Sequence, residues 1–360
     1  MQNCRWSILH LLIENLICTF KPGPRPAKTN NQSPSGMRKK LLKLFLYTAL
    51  LLFVLMNTVA FFHAYKFTHF SKEIKEGKNH DDKPALLKKA AVLLTGVDND
   101  RPENKTVPAI PYQTIRLQSN KEIECWLIPR DSAIGTVVLF HGYGGYKSSM
   151  LDKSNLFQQM GYNTLLVDFM GSGGSEGVAT TIGFKEADQV KTTVDYLKST
   201  GEENIVLFGT SMGAVAIMKA IDDYNFPVSS IIIECPFSTL LKTAENRFNI
   251  MGVPPFPLAH LLVFWGGVQN GYNAFAHDPV DYARDIKLPA LLMYGEKDKK
   301  VTHEETATIY KNLAGPKALV TFPQAGHENY LTQYQAEWTA VVGRFLKKHS
   351  NTHHNTVAAN

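Results

Sequence analysis

Ser211 lies in a segment that could present an activated nucleophile. The letters GTSMG at 209–213 match the pattern G-x-S-x-G, and the apolar run Ile205–Phe208 before them is typical of a buried strand. Helix-prone residues follow. The two glycines of the pattern lack the Cβ atoms that would clash where a strand turns sharply into a helix. We therefore predict that Ser211 is a nucleophile exposed at a strand-to-helix turn.

A serine hydroxyl is a poor nucleophile until a base takes its proton. His327 ends the segment FPQAGH at 322–327, directly after the last predicted strand, and we assign it as the base. Asp298 follows another predicted strand and precedes His327, in the chain order Ser, acid, His that such sites use. We assign Asp298 as the acid that orients the imidazole. Glu234, at the end of a third strand, is the alternative acid.

The reaction also needs donors for a negatively charged oxygen. The segment HGYGG at 141–145 follows a predicted strand, and we expect the backbone amides of Tyr143 and Met212 to form the oxyanion hole. The spacing of these glycines does not fit a nucleotide-binding loop. The four cysteines show no CxxC pair or metal-ligand spacing, so we expect neither a metal nor an organic cofactor.

The elements around these segments alternate. From residue 112 onward, short apolar runs with strand composition are separated by amphipathic helical patterns. This alternation predicts an α/β fold with a mostly parallel sheet covered on both faces. Residues 240–285 are too long for a simple crossover and contain many apolar residues. They are expected to form a cap, which either lines an apolar acyl pocket or packs as a decoration on its own domain.

The quoted motifs, together with DFMGSGGSEG and YGEKDKKV, resemble the α/β-hydrolase superfamily in order and spacing. The likeness is strongest to its membrane-associated serine hydrolases and to the lysophospholipase or monoacylglycerol-lipase branch. It covers about residues 112–347. This resemblance implies an α/β-hydrolase fold with Ser211, Asp298 and His327 as the catalytic triad, and it is less specific for the substrate.

One segment has the composition of a membrane span. Residues 44–62 contain no charged side chain. This uncharged run is about as long as a helix needs to be to cross a bilayer. Four basic residues precede it at 38–43, and this bias predicts a cytoplasmic N-terminus with the later domain on the non-cytoplasmic side. The alternatives are a cleaved signal peptide, which would give a secreted protein, and a buried core helix. We expect a separable anchor, so that deletion of residues 1–70 releases a soluble, active enzyme.

The charge distribution agrees with this division. Residues 1–83 carry 13 Lys and Arg against 5 Asp and Glu, a net charge of +8, which leaves −2 for residues 84–360 of the total of +6. A near-neutral main domain gives no reason to expect a nucleic-acid partner. The predicted organisation is an N-terminal extension at 1–36 that precedes the true start at Met37, an anchor or signal segment at 37–70, a linker at 71–110, the hydrolase domain at 111–348 and a disordered tail at 349–360.

The predicted function is the hydrolysis of carboxylic esters, with hydrophobic or lipid-like substrates, through an acyl-enzyme on Ser211. The same residues would serve an amide, peptide or thioester hydrolase, or an acyltransferase. A membrane-bound binding module without catalysis is the alternative of another class. The sequence does not indicate an oligomeric state.

Overall fold

The structure is a computed structural model that describes residues 34–71, 92, 94–224 and 226–350. Most of the predicted N-terminal extension, including everything before Pro34, lies outside the described residues, as do nearly all of the predicted tail and much of the predicted linker. The chain divides into two compact units, one up to Leu52 and one from Phe53 onward. The second unit contains all the elements described below except the first part of the N-terminal helix.

Within the described residues, eight strands form one sheet in the order β1-β2-β4-β3-β5-β6-β7-β8. Their bounds are β1 Gln113–Gln118, β2 Glu122–Ile128, β3 Thr136–Phe140, β4 Asn163–Val167, β5 Ile205–Thr210, β6 Ser230–Glu234, β7 Ala290–Gly295 and β8 Lys317–Phe322. Strands β1 and β2 are antiparallel to their neighbours, and β3 to β8 run parallel. The predicted α/β fold with a mostly parallel sheet is confirmed.

Helices cover both faces of this sheet. In chain order they are α1 Pro34–Thr68, α2 Leu151–Gln159, α3 Glu186–Ser199, α4 Met212–Tyr224, α5 Leu240–Ile250, α6 Leu258–Asn270, α7 Pro279–Tyr282, α8 His303–Asn312 and α9 Leu331–Ser350. Alternate residues of a strand point to opposite faces. In β3, Val138 and Phe140 join the core with α3 and α4, whereas Val137 and Leu139 join the core with α2 and α9.

The N-terminal helix has two kinds of surroundings. Residues Gly36–Thr68 are long and apolar enough to cross a membrane, and the large apolar side chains between Leu44 and Leu55 are exposed. The C-terminal part of α1 packs on the cap helix α6. Trp265 Nε1 donates to Asn57 Oδ1 at 3.2 Å, and Gln269 Nε2 donates to the Phe61 carbonyl at 2.8 Å. The end of α1 is therefore a part of the second unit, which also contains the whole sheet.

Candidate active site

Ser211 occupies a strained turn between β5 and α4. Its φ is +51°, in the left-handed region that residues with a Cβ atom rarely adopt. The two flanking glycines are needed for close approach. A Cβ atom at Gly209 would lie 2.6 Å from the Ala214 amide nitrogen, and one at Gly213 would lie 2.4 Å from the Phe140 carbonyl oxygen. The turn thus depends on the glycines that the sequence motif contains.

The structure brings the three residues of the predicted triad together. Ser211 Oγ lies 3.1 Å from His327 Nε2, and His327 Nδ1 lies 2.7 Å from Asp298 Oδ2. The other oxygen of the Asp298 carboxylate accepts from the backbone amides of Lys300 at 2.7 Å and Val301 at 2.9 Å. These amides fix the carboxylate just beyond β7, with one oxygen directed at the histidine.

The alternative acid, Glu234, lies elsewhere. Its carboxylate accepts from Trp338 Nε1 at 2.7 Å and from Thr210 Oγ1 at 3.0 Å, and it is fully buried. Its backbone carbonyl accepts from the Ser211 amide at 2.8 Å. Glu234 therefore stabilises the turn that holds Ser211 through hydrogen bonds to Thr210 and Ser211. The carboxylate that is hydrogen-bonded to His327 is that of Asp298.

Cys235, to which the sequence assigns no role, lies beside the three residues of the predicted triad. Its sulfur, a carboxylate oxygen of Asp298 and a ring nitrogen of His327 all lie within 4.8 Å of one another. Burial lowers the pKa of His327, but the sulfur of Cys235 and the hydrogen-bonded carboxylate of Asp298 outweigh burial and raise that pKa above its usual value. No sequence pattern pointed to Cys235, because it acts on the site only through tertiary contact.

These three side chains offer ligand atoms of the kinds that zinc accepts. The geometry fits a metal poorly, because His327 Nδ1 and Asp298 Oδ2 already share a hydrogen bond and His327 Nε2 faces Ser211. A metal bound there would have to break the link from the carboxylate to the imidazole. We assign no metal to this cluster.

The predicted oxyanion loop packs against the nucleophile. A Cβ atom at Gly142 would lie 3.7 Å from the Cβ of Ser211. The loop is fixed by His141, whose Nδ1 donates to the Gly142 carbonyl at 2.8 Å while its Nε2 accepts from the Phe169 amide at 3.1 Å. Burial lowers the pKa of His141, which favours the neutral ring that these two bonds need.

The amides of Tyr143 and Met212 donate no hydrogen bond to any acceptor in the described part of the chain. Met212 begins α4, so its amide lies at the positive end of the helix dipole. Both amides belong to segments in contact with Ser211. They are therefore available to a developing oxyanion.

The side chain of Tyr143 links this loop to the N-terminal helix. Its hydroxyl donates to the Phe67 carbonyl at 2.7 Å, and its ring stacks on the Phe67 ring with centroids 4.7 Å apart. Burial raises the pKa of Tyr143 to about 12, so the hydroxyl remains a donor. This contact could not be predicted from local sequence patterns, because the two residues are 76 positions apart.

A cavity of about 360 Å³ lies between the end of α1 and the cap. Helices α5 and α6 form the cap side, which is largely apolar. Among the residues that line it, Phe67 connects the cavity to Tyr143, and Arg247 contributes a cationic side chain. No triad residue lines the cavity. The cavity contacts the predicted oxyanion loop through the stacking of Phe67 on Tyr143.

Comparison with known proteins identifies a family for this chain. The model of the prolyl oligopeptidase family matches residues 148–353, more than half of the chain and the segment that contains Ser211, Asp298 and His327. Among curated proteins, the chain is similar to YqkD of Bacillus subtilis, with 28% identity over 222 residues that cover 61% of this chain and 72% of YqkD.

It is also similar to the acylamino-acid-releasing enzyme of Rattus norvegicus, with 23% identity over 278 residues. That alignment covers 69% of this chain and 35% of the rat enzyme. Among solved structures, the Pyrococcus furiosus esterase Pf2001 superposes with a TM-score of 0.57 at 22% identity, covering 69% of this chain and 98% of the esterase. At this identity the likeness shows the shared fold alone.

Proposed function

We propose that the chain, which belongs to the prolyl oligopeptidase family and is a serine hydrolase of the α/β-hydrolase type, cleaves hydrophobic carboxylic esters through an acyl-enzyme on Ser211. The observation that carries the proposal is the continuous chain of contacts from Asp298 through His327 to Ser211 Oγ. Such a chain gives a serine hydroxyl a base with a fixed tautomer.

The proposed reaction has two steps. Ser211 Oγ attacks the ester carbonyl while His327 Nε2 takes its proton, and the negative charge on the carbonyl oxygen is accepted by the amides of Tyr143 and Met212. His327 then protonates the leaving alcohol. Water, deprotonated by His327, attacks the acyl-enzyme and releases the acid. Asp298 holds the ring and stabilises its charged form throughout.

Hydrophobic esters are favoured over polar ones because of the adjacent cavity. Its volume lies within the range of about 300–1,000 Å³ that is usual for small-molecule sites. Its walls are mainly the apolar side chains of the cap, for example Phe248, Leu262 and Val263. This agrees with the lysophospholipase or monoacylglycerol-lipase-like activity that the motifs suggest, which we retain as part of the proposal.

Peptide hydrolysis is the second candidate, and the family itself favours it. The rat relative is named for the release of acylamino acids, although this chain spans about a third of its length. Thioester hydrolysis and acyl transfer would use the same residues. A binding module without catalysis would not require the Ser211–His327–Asp298 contacts, so we place it last.

We also propose that the protein is held in a membrane by residues 44–62, with the catalytic unit on the non-cytoplasmic side. The long apolar helix and the basic residues before it support this topology. A cleaved signal sequence and a secreted enzyme remain the alternative. Protease digestion of sealed vesicles tests the side, because the proposal requires that the catalytic unit be digested only from the non-cytoplasmic face.

The activity is tested on the full chain in lipid nanodiscs, with p-nitrophenyl octanoate compared with an N-acylated dipeptide. We expect ester hydrolysis that falls by at least about 10⁴-fold in Ser211→Ala. Ser149→Ala, at an exposed serine on the segment after the oxyanion loop, is the matched control and should retain full activity. A higher Ser211-dependent kcat/KM on the dipeptide would assign the protein to the peptidases instead.

A further inference from the structure

The wall of the cavity opposite the cap is made by the N-terminal helix. Val59, Ala60, Ala64 and Phe67 line it, at spacings that place them on one face of α1. Ala60 and Ala64 are only 3% and 2% exposed. Their small side chains leave open the space that larger residues would fill. The segment expected to serve only as an anchor therefore borders the space beside the catalytic centre.

The same part of α1 is fixed to the catalytic unit at three levels. Asn57 and Phe61 bond to α6 of the cap, as described above, and Phe67 holds Tyr143. Just after the helix, the Phe70 amide donates to the Val178 carbonyl at 2.6 Å, and the Thr180 amide donates to the Thr68 carbonyl at 2.9 Å. These contacts fix the position of the cavity wall relative to both the cap and the oxyanion loop.

We propose that the last turns of the N-terminal helix form one wall of an acyl-binding site, in which the apolar chain of an ester lies between α1 and the cap while its carbonyl group reaches Ser211. This inference rests on the proposed ester hydrolysis. The helix that enters the bilayer also lines the cavity, so an acyl chain has a short path from lipid to the site. Deletion of residues 1–70 would remove this wall, and the expectation that it leaves an active enzyme is revised.

The test uses two substitutions that fill the cavity from opposite sides. Gly266, on α6, lines the cavity, and a Cβ atom there would meet no atom within 4 Å, so Gly266→Leu adds a side chain at a position where its first atom has open space. Ala60→Leu fills it from α1. The controls are Gly343→Leu, at another helical glycine with open space, and Ala49→Leu, at an exposed alanine three turns earlier on α1.

The readout is kcat/KM of the full chain in nanodiscs for p-nitrophenyl acetate and p-nitrophenyl octanoate. We expect Gly266→Leu and Ala60→Leu to lower the octanoate-to-acetate ratio by at least about tenfold, since one methylene in an apolar pocket is worth about 10–200-fold. Neither control should change the ratio. Ala60→Val replaces Ala60→Leu where thermal unfolding shows that the latter is not folded.

An unchanged ratio in the folded Ala60 variant would overturn the proposal, and a reduced ratio in Gly266→Leu alone would show a cap pocket without the helix wall. Loss of all Ser211-dependent ester hydrolysis from the wild type is a different result. It would reject the proposed function rather than the position of the acyl chain.

A second observation concerns Arg247, whose side chain also lines the cavity. Its NH1 nitrogen donates to the Thr243 carbonyl at 3.0 Å, and its guanidinium lies 5.8 Å from the centroid of the Phe67 ring. Within the described residues, no carboxylate lies at ion-pair distance from Arg247. Most of its five N–H donors are therefore unused.

A cation that is only partly exposed and has no carboxylate partner is costly. Burial lowers the pKa of Arg247, and the nearby Tyr143, Asp298 and Glu305 raise it only in part. A carboxylate or phosphate group would accept two parallel hydrogen bonds from the guanidinium and would balance its charge. We propose that Arg247 makes the cavity a site for anionic amphiphiles, either the carboxylic acid product or an ester that carries a negative charge.

The test is titration calorimetry of octanoate and octanol into the full-length Ser211→Ala protein in nanodiscs, with empty nanodiscs as the blank. This readout does not depend on hydrolysis. We expect octanoate to bind more tightly than octanol, and Arg247→Met to weaken octanoate at least about tenfold with octanol nearly unchanged. The proposal would be overturned if octanoate and octanol bound with equal affinity to the Ser211→Ala protein that retains Arg247. It would also be overturned if Arg247→Met weakened the binding of both ligands equally.

Discussion

The catalytic centre and the cavity beside it are built from different kinds of elements. Ser211, Asp298 and His327 follow β5, β7 and β8, whose parallel register places their carboxyl ends at one edge of the sheet. The cavity lies between α1 and the cap helices, and its geometry depends on contacts between residues more than 200 positions apart. We therefore propose that the sheet positions the reacting groups, whereas the added helices determine which substrate fits.

This difference separates the expected effects of mutation. Changes at the strand ends should act mainly on kcat, because they alter groups that work in the transition state. Changes along the helices should act on the choice of acyl group.

The acid of the triad gives the largest effect. Asp298→Asn should lower kcat by roughly 10⁴-fold, because the amide cannot hold the histidine in the tautomer that accepts the serine proton. Glu234→Gln is the matched comparison at the other strand-end carboxylate. It should keep activity within about tenfold while lowering the free energy of unfolding by about 1–3 kcal/mol, since a buried hydrogen-bond network is disturbed.

Ester kinetics and urea unfolding of both purified variants give these two quantities. If Glu234→Gln lost the larger part of kcat while remaining folded, the acid would be Glu234. The contact between Asp298 and His327 would then be only structural.

The next largest effect is expected in the pH dependence of kcat/KM, which depends on the pKa of His327. Only the neutral ring of His327 can accept the serine proton, so activity should rise with pH as the ring loses its proton. Because the sulfur of Cys235 and the carboxylate of Asp298 raise the pKa of His327, the midpoint should lie above the ordinary value of about 6.5. Cys235→Ala should move the midpoint downward, toward that value.

Cys125→Ala is the control for this shift, because Cys125 is also a buried free cysteine but lies in β2. The midpoint is measured from stopped-flow or steady-state pH profiles of the wild type, Cys235→Ala and Cys125→Ala. A midpoint that stays the same in Cys235→Ala would mean that the sulfur has no influence on the base.

The smallest effect is expected at the junction between the two regions. Tyr143→Phe removes the hydroxyl that bonds to the Phe67 carbonyl but keeps the ring stacked on Phe67. Because the backbone amide of residue 143 is unchanged, we expect a loss of only about two- to tenfold in kcat/KM. The hydroxyl of Tyr146 bonds to no described residue, so Tyr146→Phe should leave kcat/KM unchanged. A loss beyond 100-fold would show that the phenol itself takes part in catalysis.

The sequence predicts the two regions unequally. The strand-and-helix alternation predicted the fold, and the motifs after the strands marked Ser211, His327 and Asp298 because parallel strands bring their ends to one edge. Cys235, Arg247 and the contact of Phe67 with Tyr143 carry no such signal. Their positions follow from the packing of a cap and a helix that are distant in sequence, and local periodicity does not determine such packing.

The N-terminal helix illustrates the same limit. Its hydropathy indicated an anchor, and by composition alone the anchor looked separable from the enzyme. The alanines at 60 and 64 have no meaning in a hydropathy pattern. They become interpretable only when the cavity that they border is known.

The central claim is that Ser211 is the acylated nucleophile. The most direct measurement is to treat the full chain in nanodiscs with a fluorophosphonate probe, digest it and locate the modified residue by mass spectrometry. We predict a single labelled peptide that carries the adduct on Ser211, with no labelling in Ser211→Ala and slower labelling in Asp298→Asn. An adduct on another residue, or undiminished labelling of Ser211→Ala, would contradict the account.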